Sequence, residues 1–172
     1  MTSAHNIAAR AVVVRPATTE DLPTLGTLGA SLMAMHHELD GARFIAPTAH
    51  TEARYAAFLG SQLTNPDVVM LVAETGGEVV GYVYAGIEGL DYMALRGPAG
   101  VGYDLIVDPV HRGLGVGRSL LDATLVAFRS RGATQIVLSA AEGNVAAQRL
   151  FATVGFRRTM VEMTKDNFGG CK

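Results

Sequence analysis

The segment that most constrains this chain is residues 104–121, where a strand pattern changes into a helix pattern across a glycine-rich turn. The apolar run stops at Pro109, and glycines then occupy every second position from 113 to 117. Without side chains, the backbone N–H groups of such a turn can approach a ligand closely, and the following helix N-terminus adds about half a positive charge. Arg112 and Arg118 flank the turn. The segment therefore predicts a cradle for a phosphate-bearing ligand.

Two common phosphate-binding loops do not fit this segment. In the dinucleotide pattern Gly-x-Gly-x-x-Gly, the third glycine would fall on Arg118, and the Walker pattern Gly-x-x-x-x-Gly-Lys-Ser/Thr does not occur in the sequence. What remains is Arg-x-x-Gly-x-Gly behind Val-x-Pro, which resembles the acetyl-CoA motif of the GNAT superfamily of N-acetyltransferases. The alternative interpretation is a glycine-rich strand-to-helix turn that binds no ligand.

A second motif lies about thirty residues downstream of the first. The pattern is Asn144-x-x-Ala147-x-x-Leu150-Phe151-x-x-x-Gly155-Phe156, and it is similar to the family's next motif. Alone it would describe an ordinary amphipathic helix that ends at a glycine. The correct order and spacing of the two motifs identify the chain as resembling the GNAT family.

Hydrophobic periodicity along the chain predicts a mixed α/β (α+β) fold. Strand patterns occur at 12–16, 68–74, 79–87, 101–107, 135–139 and 156–164, and helix patterns occur after residue 18, after Pro47, after Gly117 and at 144–154. The stretch 36–41 is polar and turn-like, and the pattern 75–78 predicts a tight hairpin turn. This order predicts a GNAT-like mixed central sheet of about six to seven strands with helices on both faces.

The resemblance implies where acetyl-CoA binds. The pantetheine arm follows a fourth strand that bulges and separates from the fifth, and a backbone N–H near Val107 serves as the oxyanion donor. The implied contacts are Leu105, Ile106 and Val107 along the arm, Arg112, Gly113, Leu114, Gly115, Val116, Gly117, Arg118 and Ser119 around the pyrophosphate, and Asn144 beside the pantetheine.

The residues that carry protons depart from the family pattern. The usual tyrosine acid is replaced by Phe151, which has no proton to donate. The strand positions that often supply a base in the family fall on Val101 and Tyr103, and a tyrosine ordinarily has a pKa of about 10. Asp104 is adjacent, but strict alternation along a strand turns it to the opposite face.

Two routes for the amine proton therefore stay open. Water removes the proton with Tyr103 assisting, or a base comes from elsewhere, with Glu88 and Asp91 as candidates. Tyr84 and Ser139 are the candidates for the acid. The only cysteine, Cys171, lies in the tail, so direct attack without a covalent enzyme intermediate is expected.

The acceptor amine is expected to bind between the first two helices and the loop at 88–100. Charged or polar residues there are His37, Glu38, Asp40 and Arg43 in the first region and Glu88 and Asp91 in the second. A small amine, an antibiotic, an amino acid and a protein amine all remain open as acceptors. Histidines 36, 37 and 50 lack the i, i+4 spacing of a helical ligand pair, so no metal site is expected.

Composition limits the class of protein. The 172 residues are 49% hydrophobic and 17% charged, which is typical of one globular domain, placed at 1–172 with a core at about 12–164. A net charge of −2 gives no basic surface for nucleic acid, and no apolar run approaches the ~20 residues of a membrane span. The N-terminus has no apolar stretch typical of a signal peptide. The expected location is cytoplasmic, and a homodimer is a further expectation.

The cradle is compatible with two classes of protein. One is an acetyl-CoA-dependent N-acetyltransferase acting on a primary amine, and the other is a non-catalytic module that binds acetyl-CoA for regulation. The second interpretation depends on Val101, Tyr103 and Phe151, because none of them is an ordinary base or acid. The first is favoured because positioning alone can contribute more to the rate than a general base does.

Overall fold

Five strands form one sheet in the computed structural model, which describes residues 11–165. In sheet order the strands are β1 (Val13–Pro16), β2 (Val68–Thr75), β3 (Glu78–Glu88), β4 (Ala99–Val107) and β5 (Ile136–Leu138). The three pairings among β1 to β4 are antiparallel, and β5 pairs with β4 in parallel. The sheet is therefore mixed, as the sequence predicted.

The predicted count of six to seven strands is wrong for residues 11–165, because the structure has five strands there. The missing strand is the stretch 156–164, which alternates in sequence yet forms no strand. Met160, Val161 and Met163 are 73–88% exposed. An alternating pattern forms a strand only where a neighbouring element buries its apolar side. Residues 1–10 and 166–172, including Cys171, lie outside the described residues.

Helices cover both faces of the sheet. They are α1 (Leu22–Leu39), α2 (Thr51–Gln62), α3 (Val116–Ser130) and α4 (Val145–Thr153). Leu25, Leu28 and Leu59 of α1 and α2 pack on one face, and Leu120 and Phe128 of α3 pack on the other. The turn predicted at 36–41 is wrong over residues 36–39, because α1 continues through Leu39.

Two glycines inside α1 allow α2 to pack unusually close. A Cβ atom on Gly26 would lie 2.5 Å from the carbonyl oxygen of Glu52, and one on Gly29 would lie 2.2 Å from the ring of Tyr55. Glycine costs a helix about 1 kcal/mol relative to alanine. That cost is offset here because the Tyr55 ring lies directly against the α1 backbone.

The hairpin between β2 and β3 turns at two glycines, as predicted. Gly76 and Gly77 have φ angles of 61° and 87°, which are left-handed values that favour glycine. A Cβ atom on Gly77 would have no heavy atom within 4 Å.

An ion pair fixes the end of β1 to the turn before α1. Arg15 donates from Nη1 and Nη2 to the two carboxylate oxygens of Asp21 at 2.8 and 2.9 Å, and the backbone N–H of Thr18 donates to the same carboxylate. These bonds lower the pKa of Asp21, and the bond from Arg15 has the largest effect.

Within residues 11–165, no helix has both the length and the apolar character needed to cross a membrane. In the same range, no three His, Cys, Asp or Glu side chains are grouped so that they could hold a metal ion.

Candidate active site

A β-bulge in β4 organises the candidate site. Asp104 lies opposite Tyr84 and Gly102 lies opposite Ala85, so Tyr103 is an extra residue without a partner on β3. The Tyr103 ring packs against Tyr84 at 4.8 Å, on the face covered by α1 and α2. Asp104 accepts a hydrogen bond from α2 on that same face. The prediction that Asp104 faces away from Tyr103 is therefore wrong, because the bulge breaks the alternation.

Beyond the bulge, β4 and β5 separate. Their pairing is confined to residues 100–102 of β4, and two cavities open between the strands further along. Asp108 donates its backbone N–H to the carbonyl of Val80 at 2.8 Å. Because N–H directions alternate along a strand, the N–H groups of Leu105 and Val107 point away from β3. We call this opening between β4 and β5 the wedge.

The glycine cradle, residues 112–119, lies where the wedge meets α3. Gly113 and Gly115 have φ angles of 76° and 84°, and Gly115 is the residue that precedes the helix. Cβ atoms on these two glycines would meet no heavy atom within 4 Å. The space in front of the cradle is thus open, and the helix N-terminus faces it with its free N–H groups.

All four polar side chains of the predicted ligand set already have partners, and Ser119 donates its hydroxyl to the carbonyl of Gly115 at 3.3 Å. Arg112 donates from Nε to the carbonyl of Val107 at 3.1 Å, which draws its side chain toward the wedge. Arg118 donates from Nε to Asp122 at 2.8 Å, so its charge is partly balanced. Asn144 accepts the N–H of Ala147 with its side-chain oxygen at 3.1 Å and caps α4.

The larger of the two cavities, about 270 Å³ in volume, is the large cleft. Its lining comes from α1 (Leu32, Met33, His36), the α1–α2 connection (Phe44, Ile45), α2 (Tyr55), β4 (Tyr103, Asp104, Leu105), the β5–α4 connection (Ser139, Ala140, Asn144) and α4 (Ala147, Phe151). Within residues 11–165, no lysine or arginine lines it. The large cleft is mostly apolar and contains one carboxylate.

That carboxylate, Asp104, is held by two tyrosines. Tyr55 donates its hydroxyl to Oδ2 at 2.6 Å, and Tyr82 donates to the same oxygen at 3.0 Å. Burial raises the pKa of Asp104, while the two hydroxyl donors and nearby His36 act in the opposite direction. Burial and the Asp104 charge raise the pKa of both tyrosines, so they remain donors. No group among residues 11–165 donates to Oδ1.

Tyr103 and the two loop carboxylates form a separate network. Tyr103 donates its hydroxyl to Glu88 at 2.5 Å, and Glu88 also pairs with Arg96. Asp91 lies 3.6 Å from the same guanidinium. Burial, followed by the hydrogen bond to Glu88, raises the pKa of Tyr103. Neither Glu88 nor Asp91 lines the large cleft, so the structure does not bring these base candidates to it.

Among the acid candidates, Ser139 reaches the site and Tyr84 does not. Ser139 lines both the large cleft and the smaller cavity of about 40 Å³ beside it, whereas Tyr84 lines neither. Phe151, at the usual position of the acid, is 9% exposed and lies between the two cavities. Its ring meets Phe156 edge-on at 5.9 Å.

The residues predicted for acceptor recognition are displaced from the cleft. His37, Glu38, Asp40 and Arg43 are not part of its lining, and Arg43 instead pairs with Glu162. The following two residues, Phe44 and Ile45, line the cleft in their place. Apolar rather than charged members of the first predicted region therefore line the large cleft, and its role in acceptor binding stays a prediction.

Three further residues of the site were missed from the sequence: His36, Tyr55 and Tyr82. They lie on α1, α2 and β3, and only the fold brings them around Asp104. The one available signal was the pair Gly26 and Gly29 on a helix, because such spacing allows a large ring on the next helix to approach.

Comparison with known proteins matches this chain to one family model and to curated relatives. Residues 32–156 match the family model described as the acetyltransferase (GNAT) family. A mycothiol acetyltransferase of Thermobispora bispora is 43% identical over 96 residues, which cover 54% of this chain and 31% of that protein. The chain thus spans under a third of the length of this curated relative.

Solved structures share the fold. A Bacillus halodurans protein superposes with a TM-score of 0.80 at 18% identity, over 91% of this chain and 99% of that one. A predicted acetyltransferase from Clostridium acetobutylicum, crystallised with acetyl-CoA, superposes with a TM-score of 0.68 at 18% identity, over 90% and 96% of the two chains.

Proposed function

Because this chain belongs to the acetyltransferase (GNAT) family, we propose that it transfers the acetyl group of acetyl-CoA to a primary amine bound in the large cleft. The observation that carries the proposal is the arrangement along β4: the strand is unpaired with β5 beyond residue 102, residues 103–105 line the large cleft, and the open glycine cradle follows the end of the same strand. GNAT acetyltransferases use acetyl-CoA as co-substrate, and the open space at Gly113 and Gly115 fits its pyrophosphate. Leu105 offers its backbone N–H to the pantetheine arm, and Val107 offers its N–H to the thioester oxygen.

The reaction is a direct displacement. The amine nitrogen attacks the thioester carbonyl carbon, the C–N bond forms, and the C–S bond breaks. The amine loses one proton, and the departing thiolate gains one from solvent, so the products are the N-acetyl amine and free CoA. The N–H of Val107 stabilises the developing oxyanion, and positioning the two reactants can supply about 7–11 kcal/mol of the barrier.

We propose that Tyr103 shapes the acceptor site rather than acting as the base. Its hydroxyl already donates to Glu88, and its pKa is raised, so it remains neutral. Tyr103→Phe should therefore retain most of the activity.

The lining of the cleft favours an amine on an apolar or aromatic group. Leu32, Met33, Phe44 and Ile45 offer apolar walls, and Asp104 offers the carboxylate that attracts an ammonium group. Since no lysine or arginine from residues 11–165 lines the cleft, an acceptor that also carries a carboxylate would bury an unpaired negative charge.

The test is a panel of amines mixed with acetyl-CoA, with acetylated products measured by mass spectrometry. The panel contains phenethylamine, L-phenylalanine, an aminoglycoside, a peptide with a free N-terminus and a mycothiol-related amine, since the curated relative carries that name. Phenethylamine and L-phenylalanine share a ring and an amine, so they isolate the effect of the extra carboxylate. We expect kcat/KM for phenethylamine to be at least about tenfold higher. A preference for L-phenylalanine would contradict the acceptor class, and no product from any amine would contradict the activity.

Three further expectations stay predictions: that the chain acts as a single domain, that it forms a homodimer, and that it is located in the cytoplasm. Light scattering coupled to size-exclusion chromatography tests the second of these.

A further inference from the structure

His36 has a defined hydrogen-bonding state in the large cleft. Its Nδ1 lies 2.9 Å from the carbonyl oxygen of Leu32. A carbonyl only accepts, so this bond places the imidazole proton on Nδ1 and leaves a lone pair on Nε2. The edge of the Phe44 ring lies against the imidazole, with the ring centroids 4.9 Å apart, and restricts its rotation. His36 thus presents a pre-oriented proton acceptor in a cavity where an amine must lose a proton.

Asp104 provides the complementary negative charge. It lines the same cleft and interacts electrostatically with His36. Two tyrosine hydroxyls hold its Oδ2, while no donor among residues 11–165 reaches Oδ1. Among residues 11–165, the other titratable groups of the lining are Tyr55 from α2 and Tyr103 from β4, with Tyr82 of β3 bonded to Asp104. The α1–α2 connection contributes the cation of Arg43, whose guanidinium lies 4.9 Å from the centroid of the Phe44 ring. All three tyrosines are neutral donors, so Asp104 is the only one of these groups that can carry negative charge at neutral pH.

We propose that His36 is the general base of the acetyl transfer and that the charge of Asp104 stabilises the imidazolium that forms. The inference rests on the proposed function. As the amine nitrogen bonds to the thioester carbon, its proton moves to Nε2 of His36 and the C–S bond breaks. The imidazolium later returns that proton to solvent, and the thiolate takes a proton from water. No other reactant is needed.

The other candidates fit this role less well. Glu88 and Asp91 are paired with Arg96 outside the lining of the cleft, and the Tyr103 hydroxyl is engaged with Glu88. Asp104 is held at Oδ2 by the hydroxyls of Tyr55 and Tyr82, and in this scheme it supplies the counter-charge to the imidazolium. Among residues 11–165, His36 is the cleft residue whose ring nitrogen Nε2 is left with a free lone pair by the bond from Nδ1 to the Leu32 carbonyl.

The experiment compares His36→Gln with His50→Gln, using phenethylamine and acetyl-CoA as probes. His50 is exposed and does not line the large cleft, so its replacement removes an imidazole without touching the site. The wild type should show a pH profile of kcat that falls on the acid side between about pH 5 and 8, the range where imidazoles titrate. His36→Gln should lose that limb, and kcat should fall by about 10²–10⁴-fold, the usual effect of a general base. His50→Gln should keep both the limb and the rate.

A third variant distinguishes a chemical role from a structural one. His36→Ala leaves space where the ring was, so added imidazole should restore part of its kcat. Unchanged melting temperature and acetyl-CoA affinity for His36→Gln, measured by calorimetry, would support the assignment. Two results would overturn the proposal. One is a wild-type kcat that does not fall on the acid side of the pH profile. The other is a folded His36→Gln protein whose kcat still falls there. An inactive wild type would instead count against acetyl transfer itself, which separates the two failures.

Discussion

Replacing Gly115 by alanine tests whether the cradle binds phosphate. A matched control glycine distinguishes the loss of stability from the loss of ligand affinity. Gly115 has a φ angle of 84°, and a Cβ atom there would meet nothing within 4 Å. An L-residue in this left-handed region costs about 1–2 kcal/mol. For a chain of this size each kcal/mol shifts the melting temperature by about 2–4 °C, so we expect a loss of about 2–8 °C.

The matched control is Gly77→Ala in the β2–β3 hairpin. Gly77 has a φ angle of 87° and the same open surroundings, and it belongs to the hairpin rather than to residues 112–119. Both variants should therefore lose similar stability. Only the Cβ atom of Gly115→Ala projects into the space assigned to the pyrophosphate, and each lost charge-assisted hydrogen bond is worth about 1.5–3 kcal/mol.

Isothermal titration calorimetry with acetyl-CoA provides the measurement. The Kd of Gly115→Ala should rise by about 10–100-fold, while that of Gly77→Ala should match the wild type. Equal affinity in the two variants would refute the assignment of the cradle as the phosphate site.

Three further predictions follow from the buried groups. Asp104→Asn keeps an oxygen for the tyrosine donors. Because burial raises the pKa of Asp104 above its ordinary 3.8, the stability of the wild type should decline as pH rises through the raised pKa. Urea unfolding at pH 7 should therefore find the variant at least as stable as the wild type, although it is less active. Asp21→Asn should lower the free energy of unfolding by about 1.5–3 kcal/mol at pH 7. Because the pKa of Asp21 is lowered, the stability of the wild type should fall as pH drops below 3.8 through the lowered pKa, and more steeply than that of the variant. Unfolding of both proteins at low pH tests this difference. Phe151→Tyr should leave kcat nearly unchanged or slightly lower through overpacking at a residue 9% exposed, and a tenfold increase would mean that proton return to the thiolate limits turnover.

The backbone conformation of the glycine turn at 113–115 could be predicted from sequence because its physics is local. Glycines at 113 and 115 occupy left-handed backbone positions, and the helix that follows begins at Val116. The hairpin at Gly76 and Gly77 was predictable for the same reason. In each case a few neighbouring residues determine the backbone, so the sequence contains the necessary information.

The surroundings of Asp104 could not be predicted in this way. The bulge at Tyr103 depends on the register between β3 and β4, and a one-residue change of register reverses every side chain beyond it. Tyr55 reaches Asp104 only because Gly29 lets its ring lie against α1. The strand predicted at 156–164 is absent for a related reason. Its alternating pattern does not tell whether a neighbouring strand is available to pair with it.

The most direct test of the central claim is a transfer experiment with acetyl-CoA carrying a ¹³C-labelled acetyl group. Wild-type protein is mixed with this compound and phenethylamine, and both products are quantified by mass spectrometry. The account predicts labelled N-acetylphenethylamine and free CoA in equal amounts, no label on the protein, and product formation that depends on the protein concentration. Tight binding of acetyl-CoA without a labelled product from phenethylamine or any other amine of the panel would contradict it.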